Sequence, residues 1–183
     1  MKDRLPPIPP EQWNAEQRRR ALDIISGPRG ALVSPFIPLL RSPELMTLTQ
    51  QLGEYLRYRS AIGVQLSELA ILVIARRWSQ RVEWAVHAPI ARAQGLSESL
   101  IRDVAAGRKP GDLSTEQEVV YDFCVELQDT KHVSDSVWKR AVDVFGEHGV
   151  VDLIGINGYY SYLAMLMNAA GTPPPASDAP PLA

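Results

Sequence analysis

The chain has 183 residues, 45% apolar and 22% charged, with a formal net charge of −2. That balance describes one globular domain with a core of its own and lacks the clustered basic surplus that nucleic-acid binding requires. A single cysteine, Cys124, excludes an internal disulfide and a cysteine-based zinc site, and fits a reducing, cytoplasmic compartment.

The opening MKDRLPPIPP has no apolar centre behind its charges and does not read as a signal peptide. Of the 15 prolines, eight precede Glu44 and five follow Gly171, leaving only Pro89 and Pro110 between. Because proline breaks helix interiors, the middle is free to be helical and the ends are not. Residues 1–10 therefore read as a proline-rich arm, 11–171 as the domain and 172–183 as a proline-rich tail.

Pro10 and Glu11 open the first expected helix, which runs to about Ser26. The stretch GPRGALVSPFIPLLRSP reads as an irregular loop with apolar anchors, placed to wrap over a pocket or a neighbouring subunit. Ser42, Pro43 and Glu44 form a helix start, and that helix reaches about Tyr58. The next begins at Ser67 or just before it and ends near Trp78. Another covers Val82 to Gln94 and stops at Gly95, with a kink or a fresh start expected at Pro89. Ser97 caps a short helix through Ala106. Ser114 and Gln117 form a capping box for the next. Ser134 opens a helix ending near Gly146, and the last runs from about Val150 to Ala170. The final segment is apolar, but Asp152 and Asn157 within it favour a buried or interface helix over a membrane span. No strand alternation or internal repeat is visible, so the class is all-α.

Two helices carry the residues with chemical promise. In ELAILVIARRWSQRVEWAVH, Glu68 heads a helix that is apolar all round. Such a helix is buried, which puts a carboxylate inside the protein or on a cavity wall. A buried acid beside a titratable neighbour is a candidate general acid or base, and a structural acid in a first helical turn is the plainer alternative. On the next helix, Glu83 and His87 share a face at i, i+4 spacing, with Trp84 adjacent. This pair also reads equally as a surface ion pair. His132 sits in a polar turn and His148 between helices near Gly146 and Gly149, placed to meet a helix C-terminus, and no HxxxH pair suggests a metal site. No GxSxG, phosphate-binding loop or GxGxxG is present. Cys124, in VVYDFCVEL, reads as an inert core thiol.

ELAILVIARRWSQRVEWAVHAPIARAQGLSESLI resembles the central motif of the carboxymuconolactone decarboxylase family, which includes the AhpD-like alkylhydroperoxidase proteins. The likeness rests on a glutamate in "ELAIL", a break, then W-x-x-H and A-x-x-x-G-L-S. It is strong over Gln65 to Ala106 and extends more weakly from Pro28 to the end of the last helix. The resemblance implies an AhpD-like helical bundle assembling into a homo-oligomer, a trimer or hexamer. Its peroxidase branch carries a Cys-x-x-Cys whose two positions fall here on Gln80 and Glu83, whereas its glutamate and histidine positions fall on Glu68 and His87. Without the thiol pair, thiol-dependent peroxide reduction cannot proceed as in that branch. The resemblance therefore favours the decarboxylase-like branch, which needs no cofactor or metal and acts on small carboxylic acids or lactones of aromatic breakdown.

On that expectation His87 is the general acid or enolate donor, Glu68 its proton partner, and Glu83 the group that holds its tautomer. Arg76 is the favoured grip for a substrate carboxylate, with Arg57, Arg59 and Arg29 as alternatives. Trp84, Trp78, Tyr58 and Tyr160 are candidates for the pocket wall. The expected partner is a small-molecule substrate, with neither nucleic acid nor membrane. Two other readings compete: a redox protein of AhpD-like type that has lost its thiol pair, and a non-catalytic small-molecule-binding oligomer.

Overall fold

A computed structural model describes residues 2–27 and 30–182. These residues form eight α-helices and one 3-10 turn, with no strand among them. The helices are α1 Ala15–Ile25, α2 Phe36–Leu39, α3 Pro43–Tyr58, α4 Val64–Arg77, α5 Arg81–Ala93, α6 Glu98–Ala105, α7 Thr115–Thr130 and α8 Asp135–Ala170.

Helix α4 is the axis of the bundle. Its residues from Ser67 to Ala75 are all buried, as its apolar circumference requires. It packs on α5, α6, α7 and α8, and these elements share one hydrophobic core. A second, smaller cluster joins Ala21 and Ile24 of α1, Phe36, Leu39 and Leu40 around α2, and Met46 of α3.

Local chemistry sets the helix ends. Ser114 accepts from the Gln117 amide and the Gln117 side chain returns to the Ser114 amide, completing the expected capping box. Ser97 caps α6 through the Leu100 amide. The first helix departs from expectation. Pro10–Gln12 forms only a 3-10 turn, and α1 starts at Ala15 because Asn14 and Gln17 make a capping box there. Within the expected loop, Phe36–Leu39 makes one helical turn that buries Phe36, Pro38 and Leu39. The break at Gly146 is present. Its φ of 65° and ψ of 172° interrupt α8, and the chain resumes helix without a gap.

Pro89 does not start a new helix. It lies inside a continuous α5. Proline lacks the N–H that would bond the Ala85 carbonyl, and the Ser177 hydroxyl from the C-terminal tail donates to that carbonyl at 3.0 Å. The tail is further held by Trp84 Nε1, which donates to the Pro180 carbonyl at 2.6 Å. The N-terminal arm closes the end of α8. The Arg4 amide donates to the Ala170 carbonyl and its guanidinium to the Ala169 carbonyl, both at 2.7 Å. Both proline-rich ends are thus fastened to the helical body.

The distal part of α8 is long and apolar enough to cross a bilayer, yet it serves as a core helix. Its polar residues are used internally. Asp152 accepts from the Ala61 amide and from the Tyr55 hydroxyl. The Asn157 amide donates to the Leu153 carbonyl.

Candidate functional site

Glu68 lies one turn into α4 and is completely buried, while Glu83 and His87 lie one turn apart on α5 with about 4% exposure each. The packing of α5 on α4 brings the three together. His87 Nδ1 lies 2.6 Å from Glu68 Oε2, and His87 Nε2 lies 3.2 Å from Glu83 Oε2. Both imidazole nitrogens are therefore engaged, each by a different acid. Glu68 Oε1 makes no hydrogen bond with the described residues, and the Arg57 Nε lies 3.7 Å from it.

Burial alone would push the His87 proton off. The charge of Glu68 and its hydrogen bond, followed by those of Glu83, outweigh that effect and raise the pKa from 6.5 to about 9. At neutral pH the ring is an imidazolium between two carboxyl groups. The His87 and Tyr160 rings meet at 5.3 Å in a T-shaped contact, and Tyr160 in turn meets Tyr159 at 5.1 Å. Burial drives the Tyr160 phenol well above its ordinary pKa, reinforced by the charges of Glu83 and Glu68. Its O–H stays neutral and able to donate.

A cavity of about 60 Å³ opens onto this group. Arg57, Glu83, His87, Tyr159 and Tyr160 supply its polar wall. The loop expected to wrap a pocket does so here, contributing Val33, Ser34, Pro35 and Phe36. Glu68 does not line the cavity and stands behind His87. Proton traffic between the cavity and Glu68 would run through the imidazole.

Of the residues singled out in the sequence, Glu68, Glu83, His87, Tyr160 and Arg57 converge at this site. Five others stand elsewhere. Trp84 points its indole to the C-terminal tail. Tyr58 is 46% exposed and carries the Arg57 guanidinium over its ring at 5.3 Å. The Arg59 guanidinium lies 5.5 Å over the Tyr55 ring. The Arg76 guanidinium packs against Gly107, at the turn after α6. The reason is helical phase. Arg76 is eight residues beyond Glu68, and its side chain leaves α4 toward α6. Arg57 occupies the cavity wall instead. Trp78 donates to Gln128 and Ser161 and belongs to a polar network among α4, α7 and α8. Arg29 falls outside the described residues.

Sequence reasoning missed Tyr159, Phe36 and the Val82–Val86 side of the wall. One signal for Tyr159 was Gly53. A β-carbon at that position would fall 2.1 Å from the Tyr159 hydroxyl oxygen, so the glycine creates the space for that ring. Cys124 is fully buried 3.2 Å from the Asn157 amide nitrogen, and burial pushes its thiol up to about 12. No group of metal-binding side chains occurs among the described residues.

No family model and no curated protein matches the sequence. Among solved structures, the chain is similar to an alkylhydroperoxidase AhpD core, an uncharacterized peroxidase-related protein from Ralstonia eutropha JMP134. The TM-score is 0.77 at 15% identity, covering 94% of this chain and 92% of that one. The chain therefore has the all-α fold of an AhpD core, with a Glu–His–Glu line buried between its α4 and α5.

Proposed function

We propose that the chain is a cofactor-free, decarboxylase-type lyase that works by proton transfer on a small carboxylic acid or lactone, of the kind met in aromatic breakdown. The observation that carries this reading is the Glu68–His87–Glu83 line, with its contacts of 2.6 and 3.2 Å. Decarboxylation without a cofactor needs a carbonyl or conjugated alkene in the substrate as electron sink. The carbon–carboxylate bond breaks, carbon dioxide leaves, and the electron pair enters the sink as an enolate. One proton must then reach carbon.

Each part of the site suits one of those tasks. The His87 imidazolium keeps its proton at neutral pH and passes it to the cavity directly or through Glu83. Glu68 stabilises the cation from behind. The neutral Tyr160 hydroxyl suits an enolate oxygen, and Arg57 suits a carboxylate. The chain works as a cytoplasmic homo-oligomer on this proposal. Support for assembly comes from exposed apolar side chains on two helices: Leu45, Leu48 and Leu52 of α3, and Val151, Ile154 and Met165 of α8.

The test is a panel of 3-oxo acids and unsaturated lactone acids incubated with the protein in deuterium oxide and followed by NMR. The expected product has lost carbon dioxide and gained one deuterium at the carbon that bore it. His87→Gln and Glu83→Gln should each slow the reaction by about 10²-fold or more, the usual scale of general acid–base catalysis. Full activity in both variants would reject the assignment.

The peroxidase-related description of the structural neighbour favours a second reading, a redox role in this chain. Against it stands the only thiol, buried and held protonated. Peroxide consumption by both the native protein and Cys124→Ser would establish a thiol-independent redox function in place of the lyase.

A further inference from the structure

The cavity at Glu83 and His87 is small. About 60 Å³ admits a few heavy atoms, whereas sites for small organic molecules commonly span about 300–1,000 Å³. A second cavity, of about 560 Å³, lies beside it. The two have four wall residues in common: Val33, Ser34, Val82 and Val86. Chemically they are opposites. Arg57, Glu83, His87 and two tyrosines line the inner cavity. The outer one is walled mainly by aliphatic and proline side chains, with Asp3 as its single charged residue and hydroxyls from Ser34 and Thr172.

The outer walls come from segments far apart in the chain. Leu5 and Pro7 belong to the N-terminal arm, Leu32 and Ile37 to the wrapping loop and α2, and Pro173 to Pro175 to the start of the tail. The arm is pinned where Arg4 meets the end of α8 and where the Arg41 guanidinium donates to the Pro6 carbonyl at 2.7 Å. The tail is pinned at Ser177 and Trp84. Anchors of this kind hold an apolar hollow open when its walls come from otherwise extended chain.

We propose that the outer chamber holds the hydrocarbon body of the substrate, while the neck at Val33, Ser34, Val82 and Val86 admits only its small oxygen-bearing end to Glu83 and His87. The assignment rests on the reading of Glu68, His87 and Glu83 as the reacting group, and it narrows the substrate class. The molecule is amphipathic, with an alkyl chain or aromatic ring at one end and, at the other, one carboxylate together with the carbonyl or conjugated alkene that takes up its electron pair. Compact acids polar at both ends are excluded, because they would set a charged group against aliphatic walls.

The neutral fluorophore N-phenyl-1-naphthylamine, which brightens in apolar surroundings, reports on the chamber in the full-length protein. Saturable binding at one site is expected. Octanoate should displace the probe at least tenfold more effectively than adipate, which carries a second carboxylate. Val33→Glu and Val86→Glu should each weaken probe binding at least tenfold. Val33 is 48% exposed, so its variant keeps the fold, and circular dichroism checks both. Leu48→Glu, on the outer face of α3, should bind the probe as the native protein does. Unsaturable binding, equal competition by the two acids, or native affinity in folded Val33→Glu would overturn the proposal.

The catalytic reading fails separately. His87→Gln should still bind the probe, and its turnover is measured independently. Retained turnover in that variant with intact probe binding refutes the relay and leaves the chamber standing. Lost turnover together with unsaturable binding in the native protein refutes the chamber alone.

Discussion

The charge state of His87 makes stability depend on pH with a definite sign. The pKa of the ring rises from 6.5 in the unfolded chain to about 9 in the folded one. At about 1.4 kcal/mol per pK unit, this difference corresponds to about 3 kcal/mol of folding free energy. A group whose pKa is raised by folding stabilises most below its unfolded value. That contribution is complete below about pH 6.5, then declines by at most about 1.4 kcal/mol per pH unit, and is gone above about pH 9. The perturbation is therefore a rise from about pH 6 to about pH 10 in the native protein and in His87→Gln, with urea unfolding at each step. Other groups also titrate over this interval, so the readout is the difference between the two proteins. It should shrink by about 3 kcal/mol, equivalent to roughly 6–12 °C in melting temperature for a chain of this size. Parallel stability profiles, or a difference that grows with pH, would refute the buried imidazolium.

Glu68→Gln removes the closer of the two acids, so the His87 midpoint measured by NMR should fall from about 9 toward 6.5, and turnover should fall with it. Gly53→Ala places a methyl group where the Tyr159 hydroxyl now sits; a loss of about 1–3 kcal/mol is expected in thermal melts, as for other overpacked sites. Trp84→Phe removes the bond to the Pro180 carbonyl; a loss of about 1 kcal/mol and faster cleavage of the tail in limited proteolysis are expected. Leu48→Glu and Val151→Glu charge the exposed apolar faces of α3 and α8; on the proposed assembly, light scattering should show a smaller particle for each variant than for the native protein.

Much of the scaffold follows from local chemistry that a linear reading can use. The capping residues Ser97 and Ser114, the glycine at 146 and the proline-poor middle mark helix limits because each acts over only three or four residues. The apolar circumference of α4 announces its burial, and with it the burial of Glu68. The spacing of Glu83 and His87 also carries their contact, since an α-helix sets i and i+4 side by side.

The rest was decided by packing between segments distant in the chain. That Glu68 meets the Nδ1 side of the ring depends on how α5 lies across α4. Arg57 and not Arg76 reaches the cavity because α3 and the α4–α6 contact fix where each long side chain can go. Pro89 left a helix carbonyl open, and only the return of the tail, 88 residues later at Ser177, supplied its donor. Side-chain periodicity records which face of a helix is apolar. It contains no term for which neighbour covers that face, and here that choice built both the buried Glu68–His87–Glu83 line and the apolar hollow beside it.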